Sequence, residues 1–532
     1  MLQRRILEVG YHNDEELIIS PKGNLQKWMI DLREVFLDRE ALEEFARYFW
    51  KLHEAYKPFQ IGAMETAGIP LLTALLLYAP KERGRVNGFI VRKERKLTGL
   101  GRMVEGKVLD LPIVFVDDIL NSGSSAEKAR VVLEAMGQKL NYLFAVIDYR
   151  SPSGLKWRQL NGVEVGSLFT LNDFDIKLHS VDQVQKQSYR KIWRTNIPGG
   201  VPFHVVPKST PLLVDGIIYR GSDSGFMHAF DAATGDILWK FEAKGSAPKK
   251  GIWSSPVYYD GQIYFGAYNG VFYSLDAKSG CETWSQSYAE WIGASPIIVP
   301  KHNLLYVGLE YQRPWAQGGI CALRLNGGEK VWEHLTRKFQ HGSPTYWERG
   351  DLVIWGTADH MMTALEPQTG KLVWSFETGR SVKYAPAVDE ERGIVAFASF
   401  DKWIYVLDAA TGKKLGAWET GDICYTTPLI LNGKLFCGSG DKKLYIIDLD
   451  RLEIVKTINT SARVYSSPRV IGNRVVFGTN GGKVLELDTN SFAIVGTLQL
   501  PDAITNAVIS SPDDKVMYVS TYMNQLYAIE RL

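Results

Sequence analysis

Cysteine is scarce and scattered in this chain. Its four copies, Cys281, Cys321, Cys424 and Cys437, show no CxxC spacing, which argues against a zinc knuckle or a disulfide framework and fits a reducing compartment. Long apolar runs are missing too: the longest, GIPLLTALLLYA at 68–79, is about half of the ~20 residues a bilayer span needs. Residues 1–17, MLQRRILEVGYHNDEEL, lack the apolar stretch and small-residue cleavage site of a secretory signal, so a cytoplasmic chain with no membrane partner is expected. Nor does charge of one sign dominate. Lys and Arg number 61 against 59 Asp and Glu, a net charge of +2, which gives no electrostatic reason for a nucleic-acid partner.

What is present is a globular composition, 45% hydrophobic and 23% charged over 532 residues. That length is several times the ~100–200 residues of one domain, so at least two compact units are expected. The rhythm changes near residue 185. Before it, β-branched runs such as LPIVFVDDI (111–119) and YLFAVID (142–148) alternate with helix-period segments such as EALEEFARYFWKLHEAY (40–56), the pattern of a parallel sheet flanked by helices.

After it, a repeat takes over. YRGSDSGFMHAFDAATGDILWKFEA at 219–243 is echoed at 264–288, 354–378 and 396–420, more weakly at 436–460 and 476–500, and as a longer variant across 306–335. Each unit reads as strand, turn, strand, turn and outer strand, with a further strand opened by Pro before it, giving four strands in about 40–48 residues: a propeller blade. The last unit, 506–532, supplies three strands, and KIWRTNIPGG at 191–200 supplies a fourth. First and last segments then share one blade, and eight blades close a ring with no exposed sheet edge. The division expected is a domain over 1–183, a linker at 184–190, and an all-β eight-bladed propeller over 191–532, with 191–197 completing the last blade.

The repeat resembles the pyrroloquinoline-quinone-like family: Ala229-Phe230-Asp231 leads through Thr234-Gly235 to Trp239, and Trp284, Trp332 and Trp374 recur in register, while Lys456 and Gly496 take the Trp place later. We read these Trp residues as packing between neighbouring blades. Quinone dehydrogenases of this resemblance are exported, rely on calcium and often carry a disulfide between adjacent cysteines. This chain has no adjacent Cys pair, so quinone is not the expected cofactor and a protein-binding platform is the preferred reading. Trp253, His341, Lys383, Tyr425 and Tyr465, each three residues before a strand-opening Pro, are expected at one mouth of the channel, either filling the funnel or meeting a protein partner. The insertion EYQRPWAQGG at 310–319 is a second candidate contact.

The chemistry concentrates in IVFVDDILNSGSS, 113–125. A parallel strand ending in two acids and turning through small hydroxyl residues into a helix makes a place for phosphate at the carboxyl edge of the sheet. Ala129, Val132, Leu133 and Met136 mark one face of that helix, and Gly137 can end it. Gly123 admits an anion close to the backbone, and Ser122, Ser124 and Ser125 add donors. Carboxylates repel phosphate, so Asp117 and Asp118 must face something else, such as ribose hydroxyls or a magnesium ion with its waters. Phosphoribosyl pyrophosphate joins all of these in one ligand.

The segment resembles the 13-residue motif of type I phosphoribosyltransferases, and other segments resemble the orotate branch: MIDLREVF (29–36) its first strand, AGIPLLTAL (67–75) a helix start, VRKERKLTGLGRMVEG (91–106) the mobile loop, and AVIDYRSPSG (145–154) the strand and turn over the base. The resemblance implies an α/β type I fold, a homodimer, and Mg2+ with the pyrophosphate. It implies Asn121, Ser122, Gly123, Ser124 and Ser125 at the 5′-phosphate, Asp117 and Asp118 at the ribose and metal, Arg92, Lys93 and Lys96 at the pyrophosphate, hinged by Gly99 and Gly101, and Arg150 at the acceptor base. Thr98 stands where the family's loop has His, Ala67 where it often has Lys, and Ser20-Pro21-Lys22-Gly23 where it has Lys-Ser-Gly. Three readings follow: a phosphoribosyltransferase with an unassigned nitrogenous base as acceptor; a ligand sensor with weak turnover that signals through the propeller; and a quinone-dependent oxidoreductase.

Overall fold

The computed structural model describes residues 1–19, 25–56, 58–92, 103–176, 189–197, 207–245, 251–311, 317–338 and 342–532, with backbone only over 12–19 and 25–28. Two compact units part between Val184 and Gln185.

The first unit opens with helix α1 (Leu2–Arg5), the antiparallel pair β1 (Tyr11–Ile19) and β2 (Leu25–Ile30), and helices α2 (Leu32–Val35) and α3 (Arg39–Leu52). The stretch 29–36, expected as a strand, is mostly not one. Asp31 accepts a hydrogen bond from the Arg33 amide at 3.0 Å and caps α2, so the chain turns where the apolar pattern alone suggested extension. Asp38 caps α3 in the same way through the Ala41 amide, and the face of Phe45, Phe49 and Trp50 is buried, each such side chain contributing about 1.5–3 kcal/mol.

Six strands then form one sheet in the order β5 (Val104–Gly106), β4 (Gly88–Val91), β3 (Gln60–Met64), β6 (Ile113–Leu120), β7 (Tyr142–Asp148), β8 (Glu164–Thr170), parallel except for β4 with β5. Helices α4 (Gly68–Leu77), α5 (Ser124–Ala135) and α6 (Pro152–Asn161) make the crossovers. Both faces of the sheet are buried: Val114 and Val116 pack with Phe49, Leu71 and Leu75, whereas Ile113 and Phe115 pack with Ala129, Val132 and Leu133. This explains the unbroken apolar run before the acids. Met136, expected on the inner face of α5, is 38% exposed, because the helix ends at Ala135 and Gly137 follows at φ +77°.

The parallel strands lie in the spatial order β4-β3-β6-β7-β8. Connections from β3 run one way and those from β6 onward the other, so the order reverses between β3 and β6. Such a reversal opens a crevice beyond the carboxyl ends of the two strands.

The second unit is an eight-bladed propeller. Seven blades are four-stranded antiparallel sheets in sequence order, and the eighth adds Tyr189–Asn196 to Gln525–Arg531, with Asn196 opposite Gln525 and Tyr189 opposite Arg531. The Trp residues of the outer strands pack blades together. The indole N–H of Trp193, Trp239, Trp284, Trp332 and Trp374 donates to the carbonyl of Ala232, Ala277, Leu325, Pro367 and Ala409 respectively, at 2.8–3.1 Å. The following turn glycine lies flat against the ring: a Cβ on Gly412, at φ +71°, would stand 2.6 Å from Trp374. Where Lys456 replaces Trp, its ammonium donates to the Ser491 carbonyl at 3.1 Å instead. Among the described residues no helix is long and apolar enough to cross a membrane.

Candidate functional site

Strand β6 brings Asp117 and Asp118 to the crevice. Successive strand residues emerge on opposite faces, so the two carboxylates are not equivalent. Asp117 is 5% exposed and its Oδ1 accepts from the Asp118 amide at 3.1 Å. Asp118 is half-buried and accepts from the Ile119 amide at 2.9 Å. Its negative charge is felt by Tyr149, whose phenol is pushed up by burial first and then by Asp118, and by Arg33, raised mainly by its hydrogen bonds to Asp31 and less by Asp118.

The loop after β6 is held from below. Ser151 Oγ donates to the Asn121 carbonyl at 2.7 Å, and Gly154 passes so close to that carbonyl that a Cβ would overlap it. Gly123 adopts φ +78°, and a Cβ there would stand 2.6 Å from the Trp157 indole; only glycine meets both demands. Trp157 is fixed in turn by donating to Glu127 Oε2 at 2.9 Å, and Glu127 pairs with Arg130. Ser122 Oγ donates to Ser124 Oγ at 3.3 Å. Asn121 and Ser124 are exposed, and Ser122 and Ser125 are half-buried.

No side chain caps α5, whose first residue is Ser124. Across the switch point, α4 begins at Gly68 and is likewise uncapped by any side chain. A Cβ on Gly68 would lie 3.4 Å from the Val116 carbonyl, which fixes the start of α4 over β6. Two helix N-termini with amides free of intrahelical partners, and with partial positive charge, therefore flank the ends of β3 and β6.

Arg92 follows β4 at the same edge of the sheet. Its side chain is only 12% exposed and is held by Glu105 at 2.7 Å and Glu65 at 3.8 Å. Arg150 follows β7 with φ +50°; its amide donates to Asp148 Oδ1 at 2.9 Å and its side chain is exposed near Asp173. Asp148 itself is engaged by Arg158 through two contacts of 2.9 and 2.8 Å. Lys93, Lys96, Thr98, Gly99 and Gly101, with 20–23, lie outside the described residues. Sequence reasoning marked Ala67 and the helix start after β3 but missed Glu65, although GAMETAGIP (62–70) repeats the logic of the diacid segment: an apolar strand, an acid, and small residues before a helix.

No group of three or more His, Cys, Asp or Glu among the described residues could hold a metal ion. The acids at the end of β6, Asp117 and Asp118, offer carboxylate oxygens. Two carboxylates fit a magnesium ion that keeps most of its waters, not a fully caged one.

In the propeller, the Tyr425 ring lies tilted against Tyr465 at 4.4 Å, Phe400 at 4.8 Å and Tyr384 at 5.8 Å, and Lys383 lies 5.1 Å from the Phe400 ring. Trp253 donates to Asp223 Oδ1 at 2.8 Å. Tyr465 is fully buried, so at that blade the residue fills the funnel. His341 and residues 312–316 of the insertion lie outside the described residues.

The family model described as outer membrane protein assembly factor BamB matches residues 178–354 and 316–531, nearly the whole of the propeller. The chain belongs to this family. The BamB of Moraxella catarrhalis shares its fold with this propeller at a TM-score of 0.53 and 17% identity, over 64% of this chain and 99% of that one. A europium-containing methanol dehydrogenase does so at 0.53 and 14%, over 67% and 95%. At such identities the likeness is one of fold alone. The unit ahead of the BamB-family propeller is similar to orotate phosphoribosyltransferases: 34% identical over 121 residues to that of Rhodopirellula baltica, and 27% over 174 residues to that of Aquifex aeolicus. The first match spans 23% of this chain and 62% of the relative's length, the second 32% and 93%. A transferase-like unit fused to a BamB-family propeller is thus the architecture of the chain.

Proposed function

We propose that the N-terminal unit transfers a 5-phosphoribosyl group from phosphoribosyl pyrophosphate to a nitrogenous base, and that the propeller serves as a platform for a protein partner. The observation that carries the reading is the Asn121–Gly123 loop: a left-handed glycine locked under Trp157, opening an uncapped helix at the switch point, in the turn that follows the strand bearing the two acids. The amides of Ser124 and Ser125, with the hydroxyls of Ser122, Ser124 and Ser125, receive the 5′-phosphate, and Asn121 shapes the loop. Asp117 and Asp118 accept hydrogen bonds from the ribose hydroxyls and are the residues that would hold Mg2+. When bound, Mg2+ offsets negative charge on the pyrophosphate.

In the transfer, the C1–O bond to pyrophosphate breaks, a C1–N bond to the base forms, and the base nitrogen gives up its proton. Arg92, Lys93 and Lys96 stabilise the charge that builds on the leaving group, and exclusion of water protects the oxocarbenium-like carbon. Arg150 attends the acceptor. The unit acts in the cytoplasm as a homodimer. A ligand sensor with weak turnover is the second reading, favoured by the hold of Glu105 and Glu65 on Arg92, which must loosen before that charge can serve a pyrophosphate.

The test is pyrophosphate release from phosphoribosyl pyrophosphate and Mg2+ with a panel of bases including orotate. Base-dependent release, reduced at least about a hundredfold in Asp118→Asn without loss of folding, is expected for the transferase. Tight binding without release favours the sensor, and neither binding nor release overturns both.

A further inference from the structure

The second strand of each propeller blade has one position, just before its closing small residue, whose side chain is buried between blades. Phe265, Trp355, Phe397, Phe477 and Val519 hold it in five blades, all 0% exposed. In the first blade it is Arg220, also 0% exposed. Its Nη2 donates to Asn524 Oδ1 at 3.2 Å and to the Thr521 carbonyl at 3.5 Å, both from the last blade. Its Nε and Nη1 have no acceptor. Burial lowers the guanidinium only to about 10, so it stays charged at neutral pH.

Nothing close by neutralises it fully. The carboxylate that Arg220 feels is Asp223, and Asp223 already pairs with the buried Lys208 and accepts from Trp253. His228 stands opposite Arg220 on the next strand, so both side chains leave the same face. Burial first, then Arg220 and Lys240, hold it neutral, and its Nδ1 has no partner. Asn524 Nδ2 is unpartnered as well. A buried cation with two unused nitrogens, beside unused neutral polar groups, is strongly unfavourable unless an acceptor of opposite charge completes it.

We propose that Arg220 forms an anion-binding site at the seam between the first and last blades, taking a small monovalent anion of the halide or carboxylate class against its unpaired N–H groups. Because Arg220 comes from the first blade and Asn524 from the last, the bound ion joins the two ends of the ring.

Crystals of the full chain soaked in bromide should show an anomalous peak within hydrogen-bonding distance of Arg220 Nε or Nη1. Water at Arg220 in both bromide-soaked and formate-soaked crystals, with bromide at surface sites alone, overturns the proposal. In solution, replacing methanesulfonate, which is neither halide nor carboxylate, by bromide or by formate at constant ionic strength should raise the thermal midpoint saturably by about 2–4 °C. The rise should vanish in Arg220→Met, which supplies the apolar side chain the other blades carry. An equal rise in both proteins overturns the site. A response to formate but not bromide, or the reverse, would identify which anion class it takes. If the variant does not fold, the bromide and formate maps on the unaltered protein decide.

Discussion

The three-residue loop Asn121 to Gly123 occurs once, and everything around it serves that single copy: Trp157 from one side, Ser151 and Gly154 from below, two uncapped helices in front. The turn that ends at Gly412 occurs in version after version around the ring, with the same carbonyl receiving the same indole from the blade before. In the first unit, local rules of helix capping and backbone geometry are broken at the loop where we propose that phosphate binds. In the second they are kept, and meaning lies in departures from the repeat, as at Arg220 or Lys456. A unique motif is found by its strangeness, whereas a repeat reveals its special residues only when its copies are laid over one another.

The comparison can be broken most forcefully at the blade junctions. Trp374→Ala, which removes a 7% exposed ring and its hydrogen bond to Ala409, should cost the propeller about 3–5 kcal/mol in denaturant unfolding. Phosphoribosyl pyrophosphate binding by the first unit should not change. A loss in both would mean the units are not separable in energy. Gly123→Ala forces a side chain into a left-handed turn and into Trp157. We expect about 1–3 kcal/mol off the first unit's stability, with weaker phosphoribosyl pyrophosphate binding by titration calorimetry; unchanged binding would remove the loop from the phosphate site.

A finer probe is acid. His228 has its imidazole pushed down from 6.5 to about 4 by burial, Arg220 and Lys240. The unfolded chain therefore takes up the proton first as pH falls. The stability this gives is complete above pH 6.5 and is lost between about 6.5 and 4. Between pH 7 and 5 the propeller should lose about 2 kcal/mol from this group, and His228→Phe should flatten that part of the profile. Smallest of all, Lys456→Ala should cost under about 1 kcal/mol, since an exposed ammonium on the Ser491 carbonyl replaces what a buried indole does elsewhere. A cost near that of Trp374→Ala would show that the Lys456 junction is energetically equal to a Trp junction despite its residue.

Much of this was legible before any coordinates. The apolar run, the acids and NSGSS are contiguous, so strand, loop and helix could be read in one pass, and the ring closure followed from counting strands at the two ends of the repeat. What was not legible depended on distance in space. The hold of Glu65 and Glu105 on Arg92 joins residues far apart in the chain, and the support of Gly123 by Trp157 joins two crossovers. The misreading of 29–36 has a local cause: Asp31 sits where an apolar pattern continues, and capping won over alternation. Arg220 was in plain view within YRGSDSG but carries no signal until set beside the Phe and Val of its sister blades.

The eighth blade has a consequence for synthesis. Arg190 binds Glu530 across 340 positions of sequence, so the strand Tyr189–Asn196 leaves the ribosome long before its partner exists. At roughly 5–20 residues per second that wait is about 17–70 s, ample time for the transferase-like unit to fold. The nascent chain would thus carry a finished first domain ahead of an open ring, and synthesis of Gln525–Arg531 sets the earliest moment at which the ring can shut.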